Sequence, residues 1–369
     1  MELLKNWFRR SFSDPQVIIL GVVLLVAAVI VIGLGKWLSP MFVSLVIAYL
    51  LEALVSRLQR FGVPRLPAIM VVFLGFMALM LFLLLAVIPR ISRQLTQLVQ
   101  QFPDYLRQGQ DLLIELPAKY PELISQEQLQ TLMNAIGQEV GNWGQQLLTW
   151  SLSSVAMVFG LVVFLVLVPV LVFFFLKDKD LIIGWLMGFM PKERSLVSTV
   201  WAESEMQIAN YVRGKALEIF IVGSVTYVTF ALQGLQYSAL LAALVGLSVL
   251  IPYVGAALAT LPIALVAFFQ YGWGWDFGQV LIAYAIIQAL DGNVLVPLMF
   301  SEVVNLHPVA IILAILLFGG LWGFWGIFFA IPLATLVQAV IRAWPRSLAA
   351  VGAGGTDESQ GFGSEVGES

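Results

Sequence analysis

The stretch GLSVLIPYVG, residues Gly246–Gly255 of this 369-residue chain, places a Gly/Pro break inside an apolar segment of membrane length. Three further breaks follow, at 291–293 (DGN), 305–308 (NLHP) and 319–326 (GGLWGFWG). In lipid, such breaks are tolerated only where neighbouring protein or a wet cavity takes up the freed backbone groups. Transporters place their binding sites at broken helices of this kind. The sequence therefore predicts a polar pathway in the C-terminal half of a polytopic membrane protein.

The composition is typical of an integral membrane protein. Hydrophobic residues make up 60% of the chain and charged residues 11%, with a mean hydropathy of +0.94, whereas soluble domains carry about 25% charged residues. The formal net charge of -3 provides no basic field for nucleic acid, which we exclude as a partner. The absence of cysteine and the single histidine exclude disulfides, thiolate sites and multi-histidine metal sites, and no cofactor is expected.

Residues 1–89 predict three membrane spans. Basic residues precede the apolar run 17–34, so the positive-inside rule places the N-terminus in the cytoplasm. A cleaved signal peptide is the alternative, although this run is long for its apolar core. The second span, 41–55, returns to a basic loop, and the third, 68–88, crosses outward and ends at Pro89.

Residues 90–150 have a different character, being polar and rich in glutamine. Their apolar residues recur at the three-and-four spacing of amphipathic helices, first in the stripe Ile91, Leu95, Leu98 and Phe102 and then in a second stripe over 129–147. The pattern predicts a helical domain on the extracytoplasmic side. Its stripes either pack on each other or form a subunit contact or a cap over a pore.

The remaining chain completes an all-α architecture of about eight transmembrane helices. A fourth span covers 151–176, and the basic segment 177–215 is predicted to form cytoplasmic interfacial helices. The membrane core, 216–346, contributes about four spans and returns the C-terminus to the cytoplasm; re-entrant hairpins at its breaks would change that count. The acidic, Gly/Ser-rich tail 347–369 is typical of disorder.

Asp291 is the strongest candidate for chemistry. A carboxylate inside a membrane helix costs about 2.5 to 3.5 kcal/mol on insertion scales, so it usually faces a cavity or a partner. Its neighbours Gly292 and Asn293 add an opened backbone and an amide oxygen, which suit a sodium ion or a proton relay. The alternative is an aspartate that caps the helix break.

The other candidates come from the remaining breaks and from the segment before the fifth span. Further pathway or ion-binding candidates are Pro252, Tyr253, Gly255, His307, Gly319, Gly320 and Gly323. Gating or membrane-edge candidates are Gln207, Tyr211, Arg213 and Glu302. His307 is a candidate pH sensor or an ordinary interfacial histidine. Lys215 is interpreted as a membrane-edge anchor, and Glu52 and Glu218 are expected to reach water near helix ends.

Enzymatic function finds little support in the sequence. It contains no Gly-x-Ser-x-Gly, no His-Glu-x-x-His and no phosphate-cradling loop with its lysine. The chain also lacks a nucleotide site, so transport driven by ATP would need another subunit. We therefore expect a protein that is not an enzyme.

Several motifs occur in the order found in a known family. They are Ile251–Gly255, Asp291–Asn293 with Pro297, Leu306–Pro308, the glycines of 319–326, Ile331–Pro332, and upstream Phe174–Asp178 with Gln207, Tyr211 and Gly214. In these motifs the chain, to about Ile341, resembles the autoinducer-2 exporter family, also called PerM-like permeases.

This resemblance implies seven or eight spans, an inserted helical domain and homo-oligomers. Two activities are associated with the family: export of the signalling molecule autoinducer-2, and sodium or lithium/proton antiport. The family commonly carries glutamate where this chain has Asp291, so the charge is retained while the reach of an ion site changes.

We therefore expect a secondary transporter of the bacterial inner membrane that moves a small solute such as autoinducer-2. A sodium or lithium/proton antiporter that uses Asp291 is the alternative within transport. A membrane scaffold or regulator that works through residues 90–150 is the alternative from another class.

Overall fold

The computed structural model describes residues 38–119, 154–188, 195–252, 254–300 and 306–343, together with isolated helical positions between 21 and 33. Its helices are α1 (Ser39–Arg60), α2 (Arg65–Phe82), α3 (Ile88–Lys119), α4 (Ser154–Lys177), α5 (Lys179–Gly188), α6 (Ser195–Leu232), α7 (Ser238–Ser248), α8 (Val254–Tyr271), α9 (Trp275–Leu290), α10 (Val296–Phe300), α11 (Pro308–Trp322), α12 (Phe324–Phe328) and α13 (Ala330–Ala343). The part of the chain that is described contains no strand, which confirms the predicted all-α class. The predicted first span lies mostly outside the described residues, and the stripe over 129–147 and the tail 347–369 lie entirely outside them.

Five of the described helical segments are long and apolar enough to cross a membrane. They are Ser39–Arg60, Arg65–Gly109, Glu205–Leu232, Val254–Tyr271 and Trp275–Phe300. Their outward faces expose large apolar side chains, for example Leu74, Leu261 and Leu298, each more than 60% exposed. Such extensive apolar exposure is costly in water and favourable in lipid. The fold is that of a polytopic membrane protein, as predicted.

Two prolines within these helices are each preceded by a π turn. The turn Leu83–Val87 comes before Pro89, and the turn Asp291–Leu295 comes before Pro297. Proline lacks a backbone N–H and its ring collides with the carbonyl four residues earlier, and a wider i→i+5 turn relieves both problems. Although the third span was predicted to end at Pro89, the helix continues through this turn to Lys119.

The 38-residue helix α6 is the centre of the fold. At about 57 Å it is longer than a bilayer core, and it packs against α1, α7, α9, α10 and α13. Its first half and α5 lie in the segment 177–215, for which the sequence predicts interfacial helices. A separate apolar cluster joins α1, α2 and α4, and next to it Glu52 pairs with Arg65 at 3.5 Å and Lys179 at 3.3 Å.

Helices α7 and α8 form a hairpin in which the start of α7 lies beside the end of α8. The backbone N–H of Gln236 donates to Gln270 Oε1 at 2.7 Å, and the Tyr271 hydroxyl donates to the carbonyl of Gln233 at 2.7 Å. The chain thus enters and leaves at one end, with residues 249–252 at the other end. We call residues 248–252 the hairpin tip.

The second broken segment also turns back on itself. Gly323 adopts a φ of +60° between α11 and α12, a conformation that favours glycine. A Cβ at Gly326 would overlap the carbonyl oxygen of Phe318, so the returning helix lies directly against α11. The indole N–H of Trp325 donates to Ser39 Oγ at 3.1 Å, which attaches this turn to the start of α1.

Helix α3 docks on the end of the α7–α8 hairpin that is opposite the tip. The backbone N–H of Leu240, in the first turn of α7, donates to Gln94 Oε1 at 2.8 Å, which satisfies a group that the helix itself cannot. The Tyr237 hydroxyl donates to Gln101 Oε1 at 2.5 Å. Burial and the neighbouring Tyr105 raise the pKa of Tyr237 to about 12, so its hydroxyl keeps the proton that it donates.

This contact leads to a prediction about stability. Replacing Gln101 by leucine leaves the buried Tyr237 hydroxyl without its acceptor, and a buried unsatisfied polar group costs about 1–3 kcal/mol. We expect the Gln101→Leu protein to show a lower thermal midpoint in detergent. The matched control is Gln100→Leu, an exposed glutamine on the same helix. Equal midpoints for the two variants would show that the contact contributes nothing to stability.

Candidate functional site

A cavity of about 640 Å³ lies between α6, the hairpin tip, the second π turn and the start of α11. Its polar lining consists of side chains from four elements: Tyr211, Lys215 and Glu218 of α6, Ser248 of the hairpin tip, Gln288 of α9, and Asp291 of the π turn. Proline and aliphatic side chains from α10, α11 and α13 supply much of the remaining wall. A pocket of this volume accommodates a small molecule, and its polar groups lie deep inside a largely apolar protein.

Lys215 and Glu218 form a buried ion pair. The ammonium Nζ lies 2.7 Å from Glu218 Oε2, and the two residues are only 4% and 2% exposed. The same ammonium donates to the carbonyl of Val249 at 2.8 Å and lies 5.4 Å from the ring centroid of Phe300. A charge at this depth is tolerated because it is paired and hydrogen-bonded.

Asp291 is placed by the π turn that Pro297 imposes. The turn opens the backbone at 291–295, and the Asn293 amide donates to the carbonyl of Ala289 at 2.8 Å. Asp291 is 8% exposed and interacts electrostatically with both Lys215 and Glu218. Its Oδ1 is buried and has no hydrogen-bond partner among the described residues. Among the described residues that line this cavity, two carboxylates therefore face one ammonium.

Two more polar atoms of the cavity lining lack partners within the described ranges. They are the Tyr211 hydroxyl, which can donate or accept, and Gln288 Nε2, which donates. Buried polar groups are usually hydrogen-bonded, so groups left unpaired beside a cavity point to a polar occupant. The lining therefore offers donors, acceptors and negative charge to a bound solute or ion.

The hairpin tip forms one wall of the cavity through Ser248, Val249, Ile251 and Pro252. Its compact shape depends on Gly255, because a Cβ there would overlap the carbonyl oxygen of Ser248. The break in GLSVLIPYVG thus brings to the cavity a proline and the Val249 carbonyl, which accepts from Lys215.

The structure separates the sequence-predicted site residues into groups. Asp291, Pro252, Gly292 and Tyr211 line the cavity. Tyr253 and Glu302 lie outside the described residues. The remaining predicted residues are not among the described lining: Asn293, Gly255, His307, Gly319, Gly320, Gly323, Gln207 and Arg213.

Several of these other residues have structural contacts of their own. His307 is exposed and caps α11, with its Nδ1 accepting from the N–H of Val309 at 3.3 Å. Arg213 donates to the Tyr49 hydroxyl at 3.0 Å and lies over the Tyr49 ring, which joins α6 to α1. Gly319 packs against Ile327 in the α11–α12 turn.

Sequence reasoning missed Lys215 and Glu218 as parts of the site. The expectations that Lys215 anchors the membrane edge and that Glu218 reaches water are wrong, because α6 continues past both residues and α7 covers them. A usable signal was present in the spacing of Gln207, Tyr211, Lys215 and Glu218, which are four, four and three residues apart. Such spacing places polar side chains on one face of a helix.

The sequence is similar to those of known transport proteins. The AI-2E family transporter pattern matches residues 17–346. A protein of Escherichia coli K12 that carries the permease name PerM is 45% identical over 345 residues, which cover 94% of this chain and 98% of that protein. A Bacillus subtilis 168 protein named as the transport protein YueF is 26% identical over 305 residues, or 81% and 82% of the two chains. The chain therefore belongs to the AI-2E family of membrane transporters.

Proposed function

We propose that this protein is a secondary transporter whose solute passes through the cavity between α6, the hairpin tip and Asp291. The observation that carries the proposal is the set of charged and unpaired polar groups around this cavity, buried within a permease fold. Ionisable residues inside membrane helices usually mark substrate or ion pathways. Breaks in helices on two sides of the cavity favour the same interpretation.

The substrate proposed first is autoinducer-2 or another small polar solute that the cell exports. Family membership supports this choice, and the cavity volume of about 640 Å³ fits a small molecule. The Tyr211 hydroxyl and the Gln288 amide provide hydrogen bonds for an uncharged polar solute. The partners of the protein would then be the lipid bilayer and this solute.

Sodium or lithium/proton antiport is the second candidate, and a specific observation favours it. The described lining holds two carboxylates and a single ammonium, with Asp291 Oδ1 unpaired among those residues. One additional positive charge would balance this set. A proton or a monovalent cation that exchanges at Asp291 meets this requirement, because such ions prefer oxygen ligands.

Location and assembly form part of the same proposal. The basic residues before the first span and after the last one favour cytoplasmic termini in a bacterial inner membrane. Homo-oligomers are proposed on family grounds alone. The docking of α3 on the hairpin suggests that the 90–150 domain positions the transport core.

The experiment uses the full-length protein in sealed liposomes. One arm records internal pH with a trapped dye after a sodium pulse, and the other records efflux of labelled autoinducer-2. We expect at least one flux to exceed that of liposomes without protein, and the arm that responds identifies the substrate. Silence in both arms, with vesicles that remain sealed, would contradict both transport proposals and favour the scaffold hypothesis.

A further inference from the structure

Lys215 connects three separate elements at the cavity. Its ammonium contacts Glu218 on its own helix and the carbonyl of Val249 at the hairpin tip, and it lies over the ring of Phe300 of α10. Phe300 in turn packs on Gly214, where a Cβ would come within 2.8 Å of the ring. No lysine or arginine is present between 216 and 341 of the sequence, and Lys215 is the one lysine or arginine in the described lining of the cavity.

The contact with Val249 is suited to holding the tip. Val249 is the residue that ends α7, and carbonyls in the last turn of a helix lack intrahelical partners and carry partial negative charge. The Lys215 ammonium donates a hydrogen bond to this carbonyl, and its positive charge offsets the partial negative charge there. Along the rest of α7, Gly246 packs closely on α6, where a Cβ would come within 3.1 Å of the Ile219 carbonyl. Beyond Gly246, the hydrogen bond from Lys215 therefore adds a polar attachment of the tip to α6, beside the apolar packing of Val249.

The charges around Lys215 make this attachment sensitive to an additional cation. The titratable groups of the described lining are Tyr211, Lys215, Glu218 and Asp291. While Glu218 is charged, it holds the ammonium beside Val249. A proton or a monovalent cation that neutralises Glu218 removes this attraction and leaves the Asp291 carboxylate, on a different element, as the nearer negative charge for the ammonium.

We propose that Lys215 is a positioning residue that couples the arrival of a positive charge at the Glu218–Asp291 pair to release of the hairpin tip. The proposal rests on the proposed transport function. When the added charge arrives, the ammonium leaves the Val249 carbonyl and the tip moves away from α6. When the charge departs, the ammonium returns to Glu218 and Val249. One side chain thus links occupancy of the site to access through the hairpin.

The test exploits the absence of cysteine from the chain, so that a single Ile251→Cys substitution labels the tip. Full-length protein in sealed liposomes is treated with a membrane-impermeant maleimide, and the labelling rate is measured. Removing one partner of a buried pair strongly destabilises the arrangement. We therefore expect Lys215→Met to raise the labelling rate about tenfold and Lys215→Arg, which keeps the charge, to restore most of the slow rate.

Lys179→Met is the control, because Lys179 also pairs with a glutamate, Glu52, and neither residue is in the described lining of this cavity. It should leave the labelling rate unchanged. Two further arms keep the native Lys215: sodium added at constant pH, and a lowered pH without sodium. An increase in the first arm identifies a metal cation as the charge, and an increase in the second identifies a proton.

Equal labelling rates for the Lys215→Met and Lys179→Met proteins would overturn the proposal. So would a labelling rate, with native Lys215, that changes neither with sodium nor with pH. The native arms decide the question even if Lys215→Met does not fold. Flux is recorded in the same vesicles. Flux through a protein whose tip labelling does not respond to sodium or protons would contradict the coupling by Lys215 and leave the transport function intact. Tip labelling that responds, without any flux, would contradict the transport function and leave the movement of the tip intact.

Discussion

The Asp291→Asn protein is expected to lose transport by at least about 100-fold, equivalent to about 2.7 kcal/mol in the barrier. Asparagine has nearly the same shape as aspartate, so the π turn and the cavity wall should persist. The substitution removes one of two carboxylates that face a single ammonium within the described lining. Without that charge, neither a proton nor a cation can be taken up at this position. The measurement is the liposome flux that the wild-type protein supports.

The matched control is Asp276→Asn, an exposed aspartate in the first turn of α9, the same helix that leads to Asp291. This variant should transport as the wild type does. Wild-type flux in the Asp291→Asn protein would show that the carboxylate is structural, and the antiport hypothesis would then fail. An effect confined to the sodium arm, with solute efflux intact, would separate the two substrate proposals.

The Gly255→Ala protein is expected to be destabilised by about 3 kcal/mol or more, because a methyl group has no room at the hairpin tip. A Cβ at this position overlaps the Ser248 carbonyl oxygen, and that contact is with backbone, which cannot rotate away. Gly326→Ala should behave alike, since its Cβ overlaps the Phe318 carbonyl oxygen in the α11–α12 turn. A strongly lowered thermal midpoint in detergent, or loss of monodisperse protein, is the expected result for both.

Two helical glycines provide the controls for this stability prediction. A Cβ at Gly278 of α9 or at Gly320 of α11 meets no heavy atom within 4 Å. Alanine at an unobstructed helical position is favoured over glycine by about 0.8–1.0 kcal/mol. Both control variants should match or slightly exceed the wild-type midpoint. A normal midpoint for Gly255→Ala would mean that the tip can open without cost to the fold.

The position of the strongest site residue could be predicted because its cause is local. Pro297 lacks an N–H and disturbs the preceding turn, which favours an opened backbone at 291–295. Proline does not open every helix of this protein, because Pro169 and Pro262 lie inside regular α-helices. The same reasoning applies to Pro89, where the sequence predicted that the third span ends. The helix itself continues beyond Pro89, after the π turn Leu83–Val87.

The partners of Asp291 could not be predicted in the same way. Lys215 and Glu218 lie some 70 residues earlier in the chain, and the sequence equally allowed them to face water at the membrane edge. What buries them is the hairpin tip, which returns to α6 and places the Val249 carbonyl beside the ammonium. That outcome depends on how the glycines Gly223 and Gly246 let two helices approach, which is a property of the packed pair.

The membrane class, the all-helical architecture and the breaks at Gly246–Gly255 and Asp291–Asn293 could be inferred from the amino-acid sequence, because hydropathy, proline and glycine act through the local backbone. The packing of the helices was needed to show that the first break turns back as a hairpin and that Lys215, Glu218 and Asp291 share one cavity. Interactions between charges depend on distance in space, and residues far apart in the chain acquire that distance only when the helices pack.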